Sequence, residues 1–135
     1  MPGIEWIKEY SVNIKVLDEQ HHQIIGVCNL LNEIILAEQS QQRMNEVFNH
    51  LMRYVTVHFS TEEKLMAEHG FPGYEEHCAE HAQCREAILK YKGRFEQGEK
   101  NLPVALVVFL SEWLHHHLLE VDKKYTSFLN ERGVF

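Results

Sequence analysis

Three prolines and seven glycines interrupt a chain of 135 residues. So few breakers exclude collagen-like and low-complexity classes and favour long helices. The three cysteines, Cys28, Cys78 and Cys84, are an odd number and form no C-x-x-C pair. That argues against a disulfide framework and a zinc knuckle, and the three read as reduced, partly buried thiols. Cationic charge is also short: 13 Lys and Arg against 20 Asp and Glu give a formal net charge of −7. A protein that grips phosphate backbones is not expected from that balance. The longest apolar run, Leu102 to Leu110, has nine residues and includes a proline, whereas a membrane span needs about 20. The segment Met1-Pro2-Gly3-Ile4-Glu5-Trp6 has no basic stretch followed by an apolar run, so it does not read as a signal peptide. The expectation is a cytoplasmic protein with no nucleic-acid partner and no membrane insertion. What is abundant is histidine, with ten residues.

The length fits one domain, residues 1–135. Residues 1–18 carry Trp6, Tyr10 and a short alternation from Val12 to Leu17, and read as an extended arm. Four segments with helical period follow, over 19–38, 42–68, 74–97 and 102–130. Their apolar stripes run through Ile24, Cys28 and Leu31; through Met44, Phe48, Leu51 and Val55; through Cys84, Ile88 and Tyr91; and through Leu106, Leu110 and Trp113. Gly70, Pro72 and Gly73 end the second segment, and Pro103 suits the first turn of the last. The fold class expected is all-α: an up-down-up-down four-helix bundle over 19–130 with an N-terminal extended arm.

Polar residues interrupt these stripes. His58 and Glu62 continue the apolar face of the second helix, His77 and His81 lie on the inward face of the third, and His117 lies a turn beyond Trp113. His21 lies on the same side as Ile24 and Cys28. Burying one such group unpaired costs several kcal/mol, against a net domain stability of about 5–15 kcal/mol. His58 and Glu62 are i,i+4, as are His77 and His81, so each pair stacks on one helix face. His117 and Asp122 are i,i+5, about 140° apart on a regular helix. For both to point inward the last helix must loosen, for instance by a π-bulge. In an up-down-up-down bundle all seven fall roughly 3–20 Å from the same end. A lone inward histidine is ordinarily a satisfied core residue, but five histidines and two carboxylates in one layer imply a shared metal centre. The other five histidines, His22, His50, His69, His115 and His116, lie off the stripe or outside the layer and read as solvated or supporting.

Imidazole with carboxylate suits iron, copper, nickel or zinc, and the absence of thiolate argues against structural zinc and iron–sulfur sites. Seven ligands exceed one ion. They suit two six-coordinate ions sharing both carboxylates, with one position left open for a small ligand.

The strings Asp18-Glu19-Gln20-His21, His58-Phe59-Ser60-Thr61-Glu62-Glu63, His77-Cys78-Ala79-Glu80-His81, Trp113-Leu114-His115-His116-His117 and Val121-Asp122-Lys123 resemble the hemerythrin family along essentially the whole chain. The resemblance implies a four-helix bundle with a non-heme di-iron centre that binds O2 reversibly. One iron would be held by His77, His81 and His117, the other by His21 and His58. Glu62 and Asp122 would bridge them with an oxo or hydroxo group, and O2 would be held as hydroperoxide at the five-coordinate iron. Ile24, Phe59, Trp113 and Leu114 would line the O2 pocket; their spacing alone also fits core packing. The function expected is storage, transport or delivery of O2 rather than enzymatic turnover, by a monomer that passes O2 to an O2-consuming partner. An O2 or NO sensor is the first alternative, although no output domain follows the bundle. A di-iron enzyme (peroxidase, ferroxidase or NO scavenger) is the second.

Overall fold

The computed structural model describes residues 4–135; the first three residues of the expected arm lie outside it. A short 3-10 turn at Lys8–Tyr10 precedes α1 (Lys15–Leu36), α2 (Ser40–Glu68), α3 (Tyr74–Glu96) and α4 (Leu102–His116). A π-helical turn at His117–Val121 then joins α4 to α5 (Lys123–Asn130), which continues the same rod. Each long helix packs on its neighbours in sequence, and α4 closes the ring against α1. The all-α bundle expected from the periodicity is the fold observed.

Two differences from the sequence reading exceed a shift of one or two residues at a helix end. α1 begins at Lys15 rather than at residue 19, so the end of the alternating stretch Val12–Leu17 is already helical. The N-cap, Ile14, offers no capping side chain. Asp18 serves instead: its carboxylate accepts from the Ser11 hydroxyl at 2.6 Å and the Val12 N–H at 2.8 Å. The arm is thus tied to the first turn from inside the helix, where no start signal is legible. The last rod, in turn, is not one regular helix but α4, a π turn and α5. By length and composition Leu102–Asn130 is apolar enough to cross a membrane, but 44% of the apolar window is buried within the bundle, and it carries His117 and Asp122 into the core.

Turn chemistry follows the helix-termination rules. Gly70 at φ 70° and Gly98 at φ 84° end α2 and α3 in the left-handed conformation. In each, the following N–H returns to a carbonyl five residues back, Phe71 to Met66 at 2.9 Å and Glu99 to Arg94 at 3.2 Å. After α1 the same place is filled by Glu38 at φ 56°, with Gln39 N–H donating to Ile34 at 2.9 Å.

Apolar packing falls into two bodies. The larger contains Ile24, Cys28, Leu51, Val55, Phe59, Cys84, Leu110, Leu114 and Leu118. The smaller contains Val12, Ile14, Leu17, Met66, Tyr125 and Leu129. On α1, on α2 and after the π turn, an inward polar residue lies between a member of one body and a member of the other. His21 is between Leu17 and Ile24, Glu62 between Phe59 and Met66, and Asp122 between Leu118 and Tyr125. A polar layer therefore separates two dry ones.

A left-handed conformation costs a side-chain-bearing residue about 1–2 kcal/mol, and glycine is free of that cost. Glu38→Gly is therefore expected to raise stability by up to about 1 kcal/mol, read as an upward shift of the urea midpoint with unchanged slope.

Candidate metal centre

Each of the seven inward polar residues is buried, and their side chains converge as two groups that share Glu62. Glu62, His77, His81 and His117 form one; His21, His58, Glu62 and Asp122 form the other. Within each group one donor atom per residue lies within 4.8 Å of all the rest. The i,i+4 pairs on α2 and α3 set His58 over Glu62 and His77 over His81, as helical spacing requires. The π turn supplies the remaining geometry: Asp122 N–H donates to the His117 carbonyl at 2.8 Å, an i→i−5 bond. The extra residue in that turn brings Asp122 round to the face of His117, and Asp122 Oδ1 lies 2.9 Å from His117 Nε2.

Both carboxylates reach both groups. Asp122 places Oδ1 3.1 Å from His77 Nε2 and Oδ2 3.1 Å from His21 Nε2. Glu62 Oε1 lies 3.1 Å from the Nε2 atoms of both His58 and His81. None of these approaches has hydrogen-bond geometry: Glu62 Oε1, both Asp122 oxygens and Nε2 of His77, His81 and His117 have no hydrogen-bond partner. An orphaned buried polar group costs about 1–3 kcal/mol. His21 Nε2 and His58 Nε2 are within hydrogen-bond distance at 3.0 Å; the other inward donors converge without bonding one another, which fits cations seated between them, with the nitrogen and oxygen donors that iron accepts.

Supporting side chains fix which nitrogen faces inward. His58 Nδ1–H donates to Gln20 Oε1 at 2.6 Å, and Gln20 Nε2 donates in turn to Thr61 Oγ1 at 3.2 Å. His81 Nδ1–H donates to Glu63 Oε2 at 3.3 Å. With Nδ1 carrying the proton, the Nε2 lone pairs of His58 and His81 point into the layer. Tyr125, fully buried, donates its hydroxyl to Glu62 Oε2, and Tyr54 stacks on His58 with ring centroids 4.9 Å apart. Sequence reasoning missed these supports. Gln20 and Glu63 stand in the motif strings without a role, and Tyr54 and Tyr125 are indistinguishable from core aromatics by spacing.

Electrostatics follow from the crowding. Burial pulls the His77 and His117 imidazoles down, but the Asp122 and Glu62 carboxylates outweigh it and push them up to about 9 and about 10. Burial alone would raise Glu62 and Asp122, yet the surrounding imidazoles hold both below the usual carboxylate range. His58 goes the other way, lowered chiefly by its burial. Among the cysteines, burial pushes the Cys28 and Cys84 thiols up to about 12, and all three are free.

Of the four residues expected around an O2 pocket, Ile24, Phe59 and Leu114 are buried in the larger apolar body and Trp113 is half-buried against it. Phe59 stacks on His81 at 3.8 Å and Trp113 on His117 at 4.4 Å, so these two rings cover the three-histidine group rather than His21 and His58 alone. The remaining histidines lie apart from the layer. His22 stacks on Trp6 at 3.8 Å, His115 Nδ1 is 3.4 Å from the Tyr10 hydroxyl, and His116 pairs with Glu120 at 2.6 Å. His69 Nδ1–H donates to the Leu65 carbonyl at 2.8 Å, and His50 lines a surface groove.

A family model for the Hemerythrin HHE cation binding domain matches residues 12–129. The chain is 35% identical over 133 residues to a bacteriohemerythrin of Stenotrophomonas maltophilia, covering 94% of this chain and 82% of that one. It is 28% identical over 117 residues to a bacteriohemerythrin of Methylococcus capsulatus, covering 87% and 88%. A crystal structure of a hemerythrin carrying a leucine-to-tyrosine mutation superimposes with a TM-score of 0.86 at 27% identity, covering 96% of this chain and 98% of that one. From the match along most of its length, the chain belongs to the hemerythrin family of non-heme di-iron, oxygen-binding proteins.

Proposed function

We propose that the chain takes up and releases O2 without consuming it, as a storage or delivery protein, and that its seven inward residues hold the two irons. In this reading His77, His81 and His117 hold one ion, His21 and His58 the other, and Glu62 and Asp122 lie across both. The observation that carries it is the donor set: five imidazoles and two carboxylates buried together, with Glu62 Oε1, both Asp122 oxygens and Nε2 of His77, His81 and His117 left without a hydrogen-bond partner. Two ferrous ions held there would supply the electrons with which O2 is bound.

The residues around the centre have separable tasks. Gln20 and Glu63 hold His58 and His81 in the tautomer whose Nε2 faces inward. Tyr125 occupies Glu62 Oε2 and so fixes the carboxylate's rotation. Ile24, Phe59 and Leu114 exclude water, which slows loss of the bound ligand as a reduced oxygen species and favours reversibility over turnover. Neutral imidazoles stabilise high iron oxidation states less than a carboxylate-rich shell does, which also favours release over O–O cleavage. These two features favour the carrier reading over an enzyme.

The deciding experiment is an optical spectrum of iron-quantified protein, reduced anaerobically, exposed to air and returned to low O2. A visible charge-transfer band that appears with two irons per chain and vanishes on deoxygenation, over repeated cycles, is the expected result. Irreversible oxidation at first exposure would overturn the carrier reading in favour of an enzyme or sensor, and absence of iron would overturn the ligand assignment.

Leu114→Ala and Ile24→Ala are each expected to speed autoxidation by about tenfold or less, because one opened apolar contact admits water at a cost of about 1 kcal/mol. Stopped-flow decay of the oxygenated band measures it, and unchanged rates in both variants would remove these residues from the pocket.

Metal loading should also displace protons. With pKa values of about 9 and about 10, His77 and His117 are charged at neutral pH before a metal arrives, so loading in weak buffer at pH 7 should release about two protons from this pair. Their raised values contribute stability to the metal-free protein fully below about 6.5, the ordinary histidine value, and that contribution is lost as pH rises through 9 and 10. The release from this pair should fade over the same range, measurable with a pH indicator dye.

A further inference from the structure

A groove of about 560 Å³ runs along the outside of the bundle between α1 and α2 and ends on Gln20 and His58. It differs from the other clefts of this acidic protein in charge. Four other clefts each carry at least one carboxylate, Glu112, Glu76, Glu80 and Asp18 among them. This groove is lined by none and instead presents Arg53 and His50. Glu46, one helical turn before His50, is held by Arg43 at 3.1 Å.

Arg53 is also uncommitted. Arg43 and Arg94 are paired with Glu46 and Glu99, Arg132 lies near Glu131 and over the Phe128 ring, and Arg85 lies over Phe59. Among the described residues Arg53 has no carboxylate or ring against it. A guanidinium is always charged and offers a planar fork that matches a carboxylate. Between Arg53 and the amides of Gln20 and Gln23 the wall is apolar, made by Val27, Tyr54 and Val57. Gly26 opens the groove further. It stands in the middle of α1, where glycine costs about 1 kcal/mol against alanine, yet a Cβ there would meet nothing within 4 Å. Among the described residues no packing contact requires a bare Cα there, and the space belongs to the groove.

We propose that this groove binds a small aromatic carboxylate, with the carboxylate on Arg53, the ring over Val27 and Val57, and a polar far end at the Gln20 and Gln23 amides. The volume falls within the range of about 300–1,000 Å³ typical of small-molecule sites. A rigid ring loses less entropy on binding than a flexible chain of the same area. The occupant would rest against the outer edge of His58, at the Gln20 oxygen that holds its Nδ1–H. The groove shares His58 with the proposed centre, but binding there requires no O2 and its failure would leave the proposed function untouched.

The test is isothermal titration of the metal-loaded full chain with 4-hydroxybenzoate, and with neutral 4-hydroxybenzamide as its match in shape. Saturable one-to-one binding of the acid, at least about tenfold weaker for the amide and for Arg53→Gln, is the expected result, since a charge-assisted hydrogen bond is involved. Gly26→Leu should abolish binding by filling the groove, while circular dichroism and the melting midpoint show an intact bundle. No saturable heat at millimolar acid overturns the proposal. So does equal binding of acid and amide, or binding of the acid undiminished in both variants.

Discussion

Two carboxylates buried among five imidazoles, with three of their four oxygens lacking a hydrogen bond, form the constraint that orders this bundle. In an apolar core such a layer is costly unless something shared sits within it, and the shape of the molecule around it reflects that cost. The apolar residues divide into one body on each side of the layer, so helix packing clamps the polar groups from above and below. The outer nitrogens of His58 and His81 are bonded to Gln20 and Glu63, which leaves the inner ones as lone pairs. The oxygens of Asp122 face different histidine groups, and Glu62 is shared between them. Charge balance follows from the same crowding: carboxylates lower themselves by raising His77 and His117, and the layer holds protons that a metal must displace.

Most of this was legible from spacing. Period 3.6 stripes locate four helices, and the polar positions within the stripes locate the layer. The i,i+5 offset between His117 and Asp122 requires the last helix to loosen, and a π turn stands at His117–Val121. What spacing leaves open depends on contacts between helices. Gln20 and Thr61 meet across α1 and α2, and nothing in either helix alone specifies that meeting. Tyr54 and Tyr125 look like core aromatics because they are core aromatics; their hydroxyl and ring partners come from the fold. The start of α1 was read late because its first turn is tied by Asp18, inside the helix, rather than by a side chain at the N-cap.

The orientation of the apolar rings is a further case. Phe59 and Trp113 fall on inward faces by periodicity, and a role beside the metal layer is compatible with that. Only the packed structure puts them flat against His81 and His117, so that the apolar cover extends over the three-histidine group. Those stacked rings add apolar cover to that side of the layer.

The layer draws its first member from α1 and its last from beyond the π turn: 101 positions separate His21 from Asp122. No contiguous fragment shorter than that span contains the whole donor set. During synthesis, His21 emerges long before the residue that completes its group, and partial sets such as His77 with His81 are available to metals in the interval. The whole donor set therefore exists only once the last rod, carrying His117 and Asp122, is packed against the other helices. The donor set is thus a property of the closed bundle and of no single helix.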